Sequence, residues 1–408
     1  MSTLREPATT SGATPVERAD TSPEALERLA ERVAITAAYY DESGEFPWAG
    51  IQAVHDAGVL RLGIGERFGG QRVSHVEIAN VLQALGGADA SVALITAQTI
   101  AQHAAQDRTG FWPEDLYRTV VEQSLTQPVV LNAVRAEPEW GAPARGGLPA
   151  TTVTRTESGW VLSGRKAYAT ASEGLTYHLV WAVDHGAGPD ATPRVAHAVV
   201  PADAPGIEIV RTWDHLGLRA SSTHDVIYRD VEIPLENFRG VDPATVPDDA
   251  NGHVSTAVSF IALYVGVARA AGRFFAQFAS ERVPTSLGRP IATLERIQSV
   301  AGEVEAQLLQ AEAVLGSVAR QADSGEPVDA GLVLASKLLV TRSAIAAVQA
   351  AVAAIGNPAL TRHNPLERHL RDVLCSRVHP PQDDAALLRL GRRALGVTST
   401  TTSPGASR

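Results

Sequence analysis

The chain holds one cysteine and one methionine in 408 residues. The lone thiol, Cys375, excludes an intramolecular disulfide framework and any zinc site built from several cysteines. It sits among apolar neighbours in a helical pattern, which marks a buried structural thiol rather than a nucleophile. Positive charge is also short: 35 Lys and Arg stand against 45 Asp and Glu, for a formal net charge of -10 and a pI near 5.7. With no basic patch to offset that balance, neither nucleic acid nor an anionic membrane is expected as the main partner. The N-terminus lacks a continuous apolar h-region. No run approaches the ~18 apolar residues that span a bilayer, so a cytoplasmic protein is expected. What remains, 45% hydrophobic and 20% charged residues over a length that suits two or three packed units, is an ordinary globular composition.

Read in order, the chain changes periodicity twice. Residues 1–22 and 398–408 are rich in Ser, Thr, Pro and Gly and are expected to be poorly ordered tails. Residues 23–126 carry helical spacing, with Leu26, Leu29, Val33 and Ile35 opening it and a further helix expected from Ser91 to Ala105. Within this region Gly63-x-Gly65 and Gly69-Gly70 resemble a dinucleotide fingerprint only superficially. That fingerprint needs a strand before it and a helix opening after it, so a loop between helices is expected instead. Residues 127–240 turn β-like: 128–133, 151–155, 160–163, 179–183, 195–200, 207–210 and 225–228 are short, β-branched and bounded by Gly, Pro, Asp or Ser. Strands without intervening helices imply a compact antiparallel barrel or sandwich. Residues 241–397 return to helices, expected at 253–280, 291–323, 329–355 and 383–395, with Ala-rich faces that suit a bundle.

Between the last two of those helices lies Asn364 to Asp384, which packs three arginines, two histidines and a Pro-Pro into one short reach. Asn364 suits an N-cap and Pro365 the first helical position, while Leu366, Leu370, Val373 and Leu374 share an apolar stripe. Arg368 and Arg371, three apart, are neighbours on one face and could both address an anion. His379 arrives immediately before Pro380 and Pro381, which end the helix. The pattern points to a histidine held beside an anionic cofactor; a solvated basic helix connection is the plainer alternative. A metal site from His363, His369 and Asp372 is not expected, because the two histidines do not share a helical face. Ser163-x-x-Lys166 matches a serine-hydrolase pattern, but that nucleophile opens a helix and this serine lies in a strand turn.

Together, FGG near residue 70, WVLSGRKAYATA, WDHLGLRASSTHDV and VEIPLENF in this order of helices, β unit and bundle resemble the acyl-CoA dehydrogenase superfamily, over roughly Phe46 to Leu395. The resemblance implies an α+β fold: an N-terminal helical domain, a central β-barrel domain and a C-terminal four-helix bundle. It further implies a flavin against the β unit, with the hydroxyl matching Thr170 near N5 of the ring. The chain departs from the family where thioester oxidation needs a base, since a carboxylate must reach the α-proton. Asn251 to Ser280 contains no acidic residue, and the C-terminal Glu-Gly-Thr position reads Arg377-Val378-His379-Pro380-Pro381. The usual Thr-Glu-Pro loop reads Arg135-Ala136-Glu137-Pro138-Glu139-Trp140-Gly141.

That altered set is similar to a branch of flavin-dependent monooxygenases, which includes dibenzothiophene monooxygenase and the amino-sugar nitrososynthases. The similarity implies that Asn132, Thr170 and His379 surround the reactive edge of the flavin, with Tyr168 and Trp213 also at the cofactor and Arg282 and Arg371 at its phosphate. Gln98, Thr99 and His103 are candidates to line the substrate pocket, His103 being expected as a partly exposed helix residue. Reduced FMN or FAD, dioxygen, a small-molecule substrate oxidised at S, N or C, a separate flavin reductase and a homotetramer are implied. Alternatives are an FAD-dependent acyl-CoA dehydrogenase and a non-catalytic family member acting in binding or assembly.

Overall fold

The structure is a computed structural model that describes residues 14–139, 147–186, 191–246 and 250–397. The expected tails beyond those limits, and the 140–146 part of the altered loop, including Trp140 and Gly141, lie outside the described residues. The chain forms two compact units, one from the segments up to Glu77 and from Ala88 onward through the β region, the other from Ile78–Gly87 and from Ala250 onward. The first two expected domains therefore cluster as one unit.

The first unit opens with an unanticipated segment. Residues 14–22, grouped with the tail on composition, are packed: Val16 and Ala19 are each 6% exposed, and the Val16 N–H donates to the Gly69 carbonyl at 2.9 Å. Two apolar side chains three residues apart gain enough from burial to outweigh the polar composition around them. Helices α1 (Pro23–Ser43), α2 (Trp48–Asp56), α3 (His75–Ala88), α4 (Ala90–Thr109) and α5 (Glu114–Ser124) follow. Capping explains several limits. Ser22 caps α1 and Pro23 takes its first position, while Gly44 at φ 69 closes it. Asp89 accepts from the N–H groups of Ser91 and Val92 at the start of α4, and Gly110 at φ 62 ends it. Between α2 and α3 the glycine-rich stretch forms two 3₁₀ turns, Val59–Arg61 and Glu66–Phe68, as a loop reading requires. Ile35, expected on the apolar stripe of α1, is 79% exposed.

Strands β1 (Leu131–Val134), β2 (Thr152–Arg155), β3 (Gly159–Ala169), β4 (Tyr177–Asp184), β5 (Arg194–Pro201), β6 (Ile207–Val210) and β7 (His224–Pro234) make one seven-stranded sheet. Its order is β1-β4-β2-β3-β7-β6, with β5 on the other side of β4. The sheet is mixed rather than purely antiparallel, because β1 and β2 run parallel to β4. The chain between β1 and β4 travels through β2 and β3, long enough to return in the same direction, which no hairpin could do. β3 is longer than expected, since Gly164, Arg165 and Lys166 pair with Tyr228, Ile227 and Val226 of β7. A core of Val16, Ile64, Phe68, Trp112, Tyr117, Leu131, Tyr177, Leu179 and Val199 joins this sheet to the first helices.

The second unit is helical: α6 (Ala250–Glu281), α7 (Glu295–Asp323), α8 (Ala330–Ile355), α9 (Leu366–Leu374) and α10 (Asp383–Ala394). α7 begins four residues later than expected because Pro290 is followed by a 3₁₀ turn, Ile291–Thr293. α6, α7 and α8 pack on one another, and α9 and α10 pack on α8. Ile78–Gly87, the greater part of α3, belongs to this unit and meets α6 by backbone contact. A Cβ on Gly86 would stand 2.1 Å from the Leu263 carbonyl oxygen, and one on Gly266 would stand 2.1 Å from that of Gln83. Contrary to the sequence expectation, Gly252–Glu281 and Ala330–Ile355 are long and apolar enough to cross a membrane, with mean hydropathies of 1.6 and 1.8. Half or more of each apolar window is buried within the fold, as in core helices.

Candidate functional site

In the first unit the end of β3 is drawn into a tight turn. Tyr168 and Ala171 have φ of 54 and 66, a left-handed conformation that non-glycine residues hold only under outside constraint. That constraint comes from the 219–223 segment before β7: Ser221 and Ser222 carbonyls accept from the N–H groups of Ala171 (2.8 Å) and Ser172 (3.0 Å). The turn exposes Tyr168 (69%) and keeps Thr170 buried (6%). Asn132, 3% exposed on β1, donates from Nδ2 to the Thr170 carbonyl at 2.9 Å. Asn132 and Thr170, both expected at the flavin edge, are thus neighbours. The hydroxyl behind them was missed: Thr223 Oγ1 donates to Thr170 Oγ1 at 3.2 Å and lies 2.7 Å from Ser221 Oγ. Thr170 thus ends a buried chain of hydroxyls that runs through Thr223 to Ser221. The hydroxyl-rich run Ala220 to Thr223 was the available signal.

Trp213 is held in its own loop. Its Nε1 donates to the Leu218 carbonyl at 2.9 Å, its backbone N–H donates to His224 Nδ1 at 3.0 Å, and its ring stacks on His215 at 4.3 Å. Ser163 lies within β3 and donates to Asp230 at 2.8 Å, so the hydrolase pattern has no catalytic setting.

The altered loop enters the sheet through a buried ion pair. Lys166 is fully buried, and its Nζ stands 2.7 Å from Glu137 Oε1. Glu137 also accepts from the Ala150 N–H (2.8 Å), the Thr151 N–H (2.9 Å) and Thr151 Oγ1 (2.7 Å). Burial pushes the lysine down to about 8, against the pull of Glu137. The carboxyl is held below its usual range, because hydrogen bonds from Lys166, Ala150 and Thr151 overcome the upward push of burial.

The expected pocket residues on α4 divide. His103 is wholly buried, not partly exposed: Nδ1 lies 2.8 Å from the Tyr117 hydroxyl, and burial pushes the ring down to about 3. Thr99 is likewise buried and binds both the N–H (3.2 Å) and the carbonyl (3.5 Å) of Leu131, pinning α4 to β1. α4 is buried on nearly every face, so its polar side chains must find internal partners. Only Gln98 of the three is partly exposed.

In the second unit the two arginines differ. Arg282, just past α6, is exposed, and its guanidinium makes no hydrogen bond among the described residues. Arg371, expected as a phosphate ligand, instead grips Glu367 through Nε (2.7 Å) and a terminal nitrogen (2.9 Å), with both side chains mostly buried. The spacing of four residues was legible as a helical pair. Asn364 accepts from the Leu366 N–H at 3.0 Å, so it does turn the chain into α9.

His379 follows a 3₁₀ turn, Cys375–Arg377, and packs against α6. Its ring stacks on Phe260 at 4.8 Å and 23°, and Nδ1 lies 2.9 Å from the Tyr264 hydroxyl. A small cavity here is lined by Phe260, Tyr264, Lys337, Thr341, Ser376 and His379 together with apolar neighbours, and no carboxylate lines it. Phe260 and Tyr264 were missed because their spacing reads simply as the apolar stripe of α6.

Comparison with known proteins places these units in context. Family models described as acyl-CoA dehydrogenase N-terminal, middle and C-terminal domains match residues 19–124, 133–231 and 258–381. A putative acyl-CoA dehydrogenase of Bacillus subtilis, YdbM, is 32% identical over 382 residues, covering 91% of this chain and 96% of its own. L-evernosamine nitrososynthase of a Micromonospora species is 28% identical, covering 91% and 87%. The solved structure of KijD3 in complex with FMN and dTDP-3-amino-2,3,6-trideoxy-4-keto-3-methyl-D-glucose has a TM-score of 0.79 at 26% identity, covering 94% of this chain and 96% of that one.

Proposed function

The chain belongs to the acyl-CoA dehydrogenase family of flavin-dependent oxidoreductases, and we propose that it is the oxygenase component of a two-component flavin-dependent monooxygenase. It would take reduced FMN or FAD from a separate reductase and use dioxygen to oxygenate a small organic substrate at S, N or C. The observation that carries this reading is the setting of His379. Where a thioester dehydrogenase needs a carboxylate, α6 has no acidic residue from Asn251 to Ser280 and meets His379 with Phe260 and Tyr264. An imidazole backed by a phenol can donate a hydrogen bond to an oxygen atom, and α6 offers no carboxylate from Asn251 to Ser280 to take a proton from carbon.

The residues present fit a flavin. The Thr170 hydroxyl, at the end of that hydroxyl chain, suits the N5 edge of the ring, and Asn132 holds the turn that carries it. Exposed Tyr168 and the Trp213 loop supply aromatic surface, and Arg282 supplies an unengaged cation for phosphate. Arg371, the other arginine proposed for the phosphate, is paired with Glu367. When bound, reduced flavin supplies the electrons that activate dioxygen. The chain's part is to orient the ring, exclude water and hold the His379 N–H toward the reacting oxygen. Gln98 is retained as a substrate-lining candidate, and a homotetramer is expected from the family.

The rival reading is a thioester dehydrogenase, favoured by the name of the Bacillus subtilis relative. Two measurements separate them. Protein loaded with reduced flavin is given dioxygen with organic sulfides, amines and indole, and oxygenated product and hydrogen peroxide are measured together. His379→Ala should lower the product yield by about 10²-fold or more, with peroxide rising in its place. Anaerobic bleaching of the oxidised flavin by an acyl-CoA would overturn the oxygenase reading.

A further inference from the structure

We infer that Tyr264 is a positioning residue that decides which ring nitrogen of His379 carries the proton, keeping it on Nε2; the inference rests on the role of His379 proposed above. Tyr264 is 1% exposed in the middle of α6, and the one hydrogen bond of its hydroxyl among the described residues is to His379 Nδ1 at 2.9 Å. Two arrangements could make that bond. If Nδ1–H donated to the phenol oxygen, the phenol's own proton would be buried with no acceptor, which is the costly state for a buried polar group. If the phenol donates, both groups are satisfied, Nδ1 is the acceptor, and the proton of the neutral ring sits on Nε2.

Phe260 stacks on the ring and fixes its plane, so the tautomer also fixes a direction. Lys337, reaching in from α8 and 4% exposed, is paired with Asp383 at 3.2 Å, and Thr341 donates to the Lys337 carbonyl at 2.7 Å. Ser376 is fully buried, and its Oγ has no partner, so it makes no bond to the imidazole. Asp372 and Cys375 act on Tyr264 only through space, and together with burial they keep the phenol protonated. In the neutral ring the donor is therefore Nε2.

The test uses full-length protein with isotopically labelled histidines, read by nitrogen NMR, with His379→Gln identifying the His379 signals. In the wild type Nδ1 should give the shift of an unprotonated ring nitrogen and Nε2 that of an N–H. Tyr264→Phe, which keeps the ring and is checked for folding by thermal melt, should reduce the ratio of Nε2–H to Nδ1–H by about fivefold to tenfold, the weight of one buried hydrogen bond. A proton on Nδ1 in the wild type, or an unchanged ratio in Tyr264→Phe, overturns the inference. Because this reading needs no turnover, it stands or falls apart from the oxygenase assignment. With turnover, Tyr264→Phe should lower the product-to-peroxide ratio in the wild-type background and not further in His379→Gln. Equal losses in both backgrounds would make Tyr264 a structural residue and overturn its positioning role.

Discussion

Removing either partner of the Glu137–Lys166 pair should reveal an asymmetry set by what each would leave behind. Lys166→Met strands a carboxylate that keeps three donors, the Ala150 and Thr151 N–H groups and the Thr151 hydroxyl. The expected loss is about 1–3 kcal/mol, the weight of one charge-assisted hydrogen bond less the gain of apolar packing. Glu137→Leu strands an ammonium with no other hydrogen-bond partner among the described residues at 0% exposure and also deprives those three donors of their acceptor. Breaking a buried pair this way costs about 3–5 kcal/mol, and the abandoned donors add to it. The pH dependence separates the two further. Lys166 is pushed down to about 8 in the fold, against an ordinary 10.5 when unfolded. Between those values the unfolded chain binds the extra proton, so this group's contribution to stability rises with pH. Without Glu137 the lysine falls further, so as pH is raised from about 7 to about 9.5 the Glu137→Leu deficit should shrink up to about 8 and then level off, where the lysine is neutral in both folds. Urea titrations of wild type and both variants across that range provide the measurement. A larger loss in Lys166→Met, or a Glu137→Leu deficit that does not shrink with pH, would refute the reasoning. The pair also matters to the site, since Ala136 accepts from the Ala167 N–H at 2.9 Å beside the Tyr168–Thr170 turn. Glu137→Leu should accordingly weaken flavin binding more than Lys166→Met.

Gly266→Ala should destabilise by about 3 kcal/mol or more, because the carbonyl it meets is backbone and cannot step aside. Gly302→Ala, in an open position of α7, should instead stabilise by about 0.5–1 kcal/mol; equal melting temperatures for the two would refute the backbone contact. Arg282→Ala should raise the flavin dissociation constant with little change in stability. Arg371→Ala should do the reverse by leaving Glu367 unpaired, and a loss of flavin affinity confined to Arg371→Ala would reverse the assignment of the two. His103, His178 and His369 are pushed by burial down to about 3, 4 and 3. Between those values and the ordinary 6.5 the unfolded chain binds protons that the fold does not, so stability should fall as pH drops below about 6.5. A flat profile there would refute their burial as neutral rings.

Local pattern was enough for much of the fold. Residues 207–210 were expected as a strand from β-branched alternation and form one, and α8 and α10 begin within a residue of their expected starts. Boundaries slipped where local signals were ambiguous, as at Pro290, or where pairing extended a strand past a glycine, as β3 does beyond Gly164. Polar residues on buried helices were the hardest to read. Nothing local to His103 reveals that Tyr117, fourteen positions on, turns it inward.

The sequence by itself determined the order of helices, strands and bundle and the missing carboxylate across Asn251 to Ser280. These follow from residue type and spacing of a few positions, whereas Asn132, Thr170 and His379 were singled out by resemblance to a family. Only the tertiary structure decided what Thr170 and His379 meet. The hydroxyl that bonds Thr170 lies 53 residues away, and the phenol that bonds His379 lies 115 away. A hydrogen bond is decided by an ångström of distance and the direction of one proton. Those quantities exist only after the distant segments have packed together.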